Sequence, residues 1–267
     1  LPNMTSFIIF GIVVGFYFFD FLLQVLPGIF AKDLSISFSL NAKDLGALSA
    51  SYFFSYALMQ IPAGFLYDKF GGKKVLFISV IIASIGTYLF STADNIVLGT
   101  ISRILMGAGC SCAFLGSLYF ILRWFPEKYF ATLAGVVAFI GSCGAVFGEV
   151  FLSHMLLNHG WRNTTLYLAF LGVIIGFLIS FFVKNHPCND ELQTQQETSN
   201  SIIQEISYLL THSQIWALSL FCFLNWAVVS VFGILWGVPY LKKVYAMSLT
   251  DASWAISLIW TGVGLGS

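Results

Sequence analysis

The chain has 267 residues, 58% of them hydrophobic and only 9% charged, where an ordinary soluble domain carries roughly 25% charged residues. Twelve Lys and Arg balance twelve Asp and Glu, so net charge points to no polyanionic partner. With a mean hydropathy of +0.87, so few charges cannot cover an aqueous exterior. This excludes a secreted, cytosolic or nucleic-acid-binding globular protein and leaves lipid as the main solvent.

A spanning helix needs about 20 mostly apolar residues. Along the chain such segments are predicted at about 6–30, 44–67, 75–93, 97–122, 131–157, 163–184 and 213–241, and an eighth opens near Asp251. The runs are continuous rather than alternating, which favours helices over barrel strands. The first is too long for a cleaved signal and contains Asp20. Short polar connections separate the spans: Asp68 to Lys74, Thr92 to Asn95, Arg123 to Tyr129 with Pro126, and Asn158 to Asn163 with Gly160.

The exception is 185–212, a polar stretch rich in Gln, Ser and Thr, read as a cytoplasmic linker whose later part forms a surface helix with an apolar stripe. After it the pattern restarts. Leu26-Pro27 closes the first span and Asp44 opens the next apolar helix; Val238-Pro239 closes the seventh and Asp251 opens the eighth. A parallel repeat of six-helix units predicts this echo. The expected domains are therefore a bundle over 1–184, the linker over 185–212, and the start of a second bundle over 213–267, the chain being read as a fragment. Lys and Arg are nearly balanced between the two sets of loops. The dense group Lys69, Lys73 and Lys74 places that loop, and with it the amino terminus, in the cytoplasm.

Cys110, Cys112, Cys143 and Cys222 lie in apolar runs. Neither a disulfide framework nor a zinc site fits them, and buried free thiols are expected. No phosphate-cradling loop is found, no Ser/His pairing marks a hydrolase, and no second Gly-Asp motif completes an intramembrane aspartyl protease. Gly262, Gly264 and Gly266 follow no strand and read as helix packing. No enzyme, cofactor or metal is expected.

Ionisable groups inside spans cost at least ~2.5–3.5 kcal/mol each near the midplane, so each needs a reason. Asp20, Arg103 and Glu149 are the three well inside. At about 1.5 Å per residue they fall roughly 15, 9 and 12 Å from one membrane surface, which predicts a single polar cluster. Tyr17, Asp20 and Gln24 share a face of span one. Ser49, Tyr52, Tyr56 and Gln60 do the same on span two, and Asn225 and Trp236 are expected to supply an opposing wall from span seven. Polar groups among aromatic rings suit a small polar solute shedding water. Asp20 or Glu149 is expected to change protonation as the helices move, with Arg103 biasing which; a permanent salt bridge is the alternative.

The turn Gly64-Phe65-Leu66-Tyr67-Asp68-Lys69-Phe70-Gly71-Gly72-Lys73-Lys74 closely resembles the signature between helices 2 and 3 of the major facilitator superfamily, with Gly72 in a slot usually basic. Arg103-Ile104-Leu105-Met106-Gly107-Ala108-Gly109 resembles that family's Arg-x-x-x-Gly-x-Gly in helix 4. The resemblance implies an all-α membrane protein: a six-helix amino-terminal bundle of a twelve-helix transporter fold, with helix 7 and part of helix 8. It also implies that Gly64, Asp68, Lys69, Gly71, Lys73 and Lys74 latch one of two access states, Gly64 and Gly71 by close approach and a tight turn, Asp68 by pairing with cations or capping a helix.

Span five has a glycine-rich stretch, 141–148, without the proline many antiporters of the family carry there, which favours uptake over export. Related organic-anion symporters often have an Asp-Arg pair in span one, whereas Phe21 follows Asp20 here. The expected function is secondary transport of a small polar metabolite by alternating access, as proton symport, by a monomer in a bacterial inner membrane. A multidrug or metabolite exporter and a truncated non-transporting protein are the alternatives. Expected partners are a small-molecule substrate, membrane lipid and a proton, with no nucleic acid.

Overall fold

The computed structural model describes residues 4–185 and 211–267, and its described residues are helices joined by short turns. In chain order these are α1 (Met4–Ile29), a short α2 (Ala31–Ser37), α3 (Ala42–Phe70), α4 (Gly72–Ser91), α5 (Ile96–Trp124), α6 (Phe130–Phe147) and α7 (Ser153–Phe182). After the linker come α8 (Ser213–Val228), α9 (Gly237–Tyr245) and α10 (Leu249–Leu265). Two π-helical segments, Gly148–Leu152 and Val229–Trp236, join α6 to α7 and α8 to α9. The linker reading, surface helix included, falls almost wholly on 186–210 and lies outside the described residues.

Local chemistry sets the boundaries. Asn41 and Asn95 accept from the backbone N–H of Asp44 and Leu98 at 3.0 and 2.9 Å, starting α3 and α5. Ser248 does the same for Asp251 at 3.1 Å and starts α10. Gly71 at φ +78° and Gly160 at φ +74° adopt the left-handed backbone that reverses the chain after spans two and five. Span five thus runs through α6, the π segment and the first turns of α7 as far as Gly160, and span six fills the rest of α7.

Among the described residues eight helical passes result, matching the predicted spans to within a few residues. Five stretches are long and apolar enough to cross a membrane by length and composition, one of them the 56-residue run Glu127–Phe182 that Gly160 divides into two passes. Helix α3 falls outside that set because its inner face carries Ser49, Tyr52, Ser55, Tyr56 and Gln60. Helix α10 has 17 residues.

Helix α5 packs on α3 and α4, α4 on α7, and α1 on α5 and α6. The last two passes extend the bundle: α10 lies against α6, and the π segment of span seven against α1. Close approach is made by small residues. A Cβ on Gly109 would stand 2.5 Å from the Ser79 carbonyl, and one on Gly144 2.7 Å from that of Phe18. Of the closing glycines Gly264 serves helix packing, seating Ser142 of α6, whereas a Cβ on Gly262 would meet nothing within 4 Å and one on Gly266 only carbonyls of its own helix. Large apolar side chains such as Phe54, Leu58, Ile78, Phe170 and Phe181 are exposed on the outside, as a lipid-facing surface requires.

The cysteines divide. Cys110 and Cys112 are buried free thiols, Cys143 is half-buried, and Cys222 is exposed on α8, against expectation. Apolar surroundings in sequence do not distinguish a helix face turned inward from one turned to lipid.

Candidate functional site

Asp20, Arg103 and Glu149 are 0%, 1% and 0% exposed, so all three side chains point into the bundle rather than at acyl chains. Asp20 Oδ1 accepts from Gln24 Nε2 at 3.0 Å, one turn along α1, and from the Tyr52 hydroxyl of α3. The Tyr52 ring in turn lies under the Arg103 guanidinium, 4.5 Å from its centroid. A carboxylate, a phenol and a guanidinium from three helices thus form one column.

Backbone chemistry holds the arginine. Pro27 has no N–H, so the Leu23 carbonyl four residues earlier loses its helical donor. Arg103 Nη1 takes that carbonyl at 2.8 Å. The glycine of the Arg103-x-x-x-Gly107 motif makes room for α3, since a Cβ there would overlap the Tyr52 carbonyl and the Ser55 hydroxyl. Without one, α3 comes close enough to α5 to place Tyr52 between Asp20 and Arg103.

In front of this column lies a cavity of about 730 Å³, within the usual size of a small-molecule site. Tyr17, Gln24, Tyr56 and Gln60 line it, together with Phe21, Phe53, Phe114, Trp226 and Ser230. Among the described residues, no charged side chain is in its wall. Tyr56 stacks on Tyr52 at 6.1 Å, and Gln24 joins the cavity to Asp20 directly, so the buried carboxylate sits one side chain behind the surface a solute would touch.

Several expectations are corrected. Asn225 is exposed on α8 and does not line the cavity, whose opposing wall comes instead from Trp226, itself still 40% exposed, and the half-buried Ser230. Trp236 lines a different cavity near the end of span seven. The predicted single cluster is two: Glu149, on the π segment, has neither carboxylate oxygen hydrogen-bonded among the described residues and is not joined to Asp20 or Arg103. No ion pair joins either acid to Arg103; the ion pair among the described residues is Arg162–Asp94, at 3.1 Å. The salt-bridge alternative is therefore not what this state contains.

The turn at 68–74 also differs. Gly71 supplies the tight reversal, and the Lys73 N–H is held by Asn185 Oδ1 at 3.0 Å, tying the turn to the end of span six. A Cβ on Gly64 would meet nothing within 4 Å, so close approach is not its role in this state. Asp68 is exposed and makes no ion pair with Lys69, Lys73 or Lys74, each of which is free of a carboxylate partner among the described residues. Lys69 rests over Phe70 at 5.5 Å. Sequence reading missed Pro27, Phe114, Trp226 and Asn185; the proline was legible as a breaker but not as the source of a free carbonyl.

The family model described as Major Facilitator Superfamily matches residues 8–267. A probable sulfoacetate transporter of Cupriavidus necator is 26% identical over 76% of this chain and 46% of its own length. A probable galactarate/D-glucarate transporter of Escherichia coli is 33% identical over 54% of this chain and 35% of its own. Among solved structures, an inward-facing bacterial homologue of the human lysosomal transporter Spinster superposes with a TM-score of 0.78 at 17% identity, over 100% of this chain and 62% of the other. A D-xylose–proton symporter superposes at 0.69 and 16% identity, over 96% and 65%. The chain spans about half the length of the curated relatives it matches.

Proposed function

The chain belongs to the Major Facilitator Superfamily, an integral multi-pass membrane transporter family, and from that premise we propose that it moves a small polar metabolite by alternating access, coupled to a proton. The observation that carries the reading is the Asp20–Tyr52–Arg103 column behind the wall of the aromatic cavity. A carboxyl group that touches the cavity through Gln24 can load and release a proton as the helices carry the Arg103 cation, held one ring away, nearer to it or farther off. Glu149 is the second candidate carboxyl, buried and without a hydrogen-bond partner among the described residues.

Relatives are named as a probable sulfoacetate transporter and a probable galactarate/D-glucarate transporter, and a structural neighbour is a D-xylose–proton symporter, which supports uptake of a polar metabolite by symport. In this reading 1–184 is the first bundle, 185–212 a cytoplasmic linker and 213–267 the start of the second, with the amino terminus in the cytoplasm of a bacterial cell. Gly64, Asp68, Lys69, Gly71, Lys73 and Lys74 gate the bundle at that face.

The test is uptake into vesicles carrying the product of the complete reading frame, with a metabolite panel, with and without a pH gradient. Asp20→Asn or Glu149→Gln is expected to abolish accumulation against the solute gradient while leaving counterflow. Proton-coupled uptake surviving in both variants would sink the proton relay.

A further inference from the structure

A second cavity, of about 420 Å³, opens at the end of the bundle away from the 68–74 turn. Among the described residues its charged lining consists of Lys32, Lys242 and Lys243, with no acid in the wall. Lys32 comes from α2 and the other two from the last turn of α9, so two unrelated elements bring three cations to one hollow. The negative end of the α9 dipole accounts for a lysine there, but not for the convergence with Lys32. None of the three makes an ion pair among the described residues.

Position gives this hollow its meaning. Gly28 lines it, and a Cβ on Gly28 would overlap the Ile234 carbonyl, so α1 and span seven touch backbone to backbone there. One turn earlier on each of those two elements stand Gln24 and Ser230, which line the central cavity. The two hollows therefore flank a single seal about 6 Å thick, four residues at the helical rise.

We propose that the lysine-lined hollow is a capture site for a small soluble organic anion bearing carboxylate, sulfonate or phosphate oxygens, held one turn from the transport cavity until the Gly28–Ile234 contact opens. This rests on the transporter reading and deepens it by assigning a substrate class. Unpaired lysines over a concave apolar floor raise the local anion concentration and speed encounter, the more so at low salt. They also supply positive charge that the central wall lacks.

Amine acetylation of the purified protein, followed residue by residue by mass spectrometry, tests it. At matched ionic strength, succinate should slow labelling of Lys32, Lys242 and Lys243 several-fold, uncharged erythritol should not, and Lys69, Lys73 and Lys74 should be unaffected. Lys32→Gln should remove the protection at Lys242 and Lys243, and Lys32→Arg should keep it. Absence of protection, equal protection at Lys69–Lys74, or protection by phosphatidylglycerol but not by succinate would overturn the assignment. Protection in a protein that moves no solute would leave the capture site standing and remove the transport reading instead.

Discussion

Arg103 donates to the Leu23 carbonyl at 2.8 Å, the acceptor that Pro27 leaves without a helical partner. A backbone defect in one span thus becomes the anchor for a buried cation in another, and each explains why the other is tolerated in lipid. The remaining Nη2 and Nε have no hydrogen-bond partner among the described residues, so the Leu23 carbonyl, the Met106 sulfur at 3.7 Å from Nη1 and the Tyr52 ring hold the guanidinium.

Pro27→Ala should therefore compete with Arg103 for Leu23. The new N–H closes the α1 ladder, and the guanidinium loses its acceptor, at a cost of about 1–3 kcal/mol for a buried charged donor. Thermal unfolding in detergent should show the variant no more stable than the parent, despite a better helix former in α1. A clear gain in stability would show that the Arg103–Leu23 bond contributes nothing.

Tyr52→Phe separates the two halves of the column. It keeps the ring under Arg103 and deletes the hydroxyl that donates to Asp20. Expected are a stability loss of about 1–2 kcal/mol and a shifted pH profile of uptake with little change in substrate affinity. An unchanged pH profile would separate Asp20 from coupling.

Gly107→Val should be more damaging than either. Its side chain would be driven into the Tyr52 carbonyl and Ser55, and backbone cannot step aside as a flexible side chain can. Overpacking of this kind costs roughly 1–3 kcal/mol or more, and the α3–α5 distance must grow. Gly64→Ala, at a site with nothing within 4 Å, is the internal control and should leave melting unchanged.

Asp68→Asn tests the turn at 68–74. The carboxylate has no ionic partner among the described residues in this state, so stability should be unaffected. A latch made only in the other access state would appear as slower transport at full expression. Equal initial rates for variant and parent would remove the latch.

Much of this protein was legible in the chain. The apolar runs, the polar turns and the two glycine-bearing motifs are local properties, and a bilayer converts them into spans with little freedom, because every backbone polar group must be satisfied within the helix. The inward direction of Asp20, Arg103 and Glu149 followed from the same cost. Which groups meet did not follow. Spacing put Glu149 near the depth of Asp20, yet on its π segment it makes no hydrogen bond to Asp20, Tyr52 or Arg103. Asn225 and Trp226 are neighbours in sequence, and a helix turns successive residues by about 100°, so only the assembled bundle decided that the ring and not the amide lines the cavity. Sequence settled the kind of object because solvent chemistry acts on each segment alone; the site awaited the tertiary fold because hydrogen bonds among three helices depend on relative rotation and closeness, which no single segment encodes.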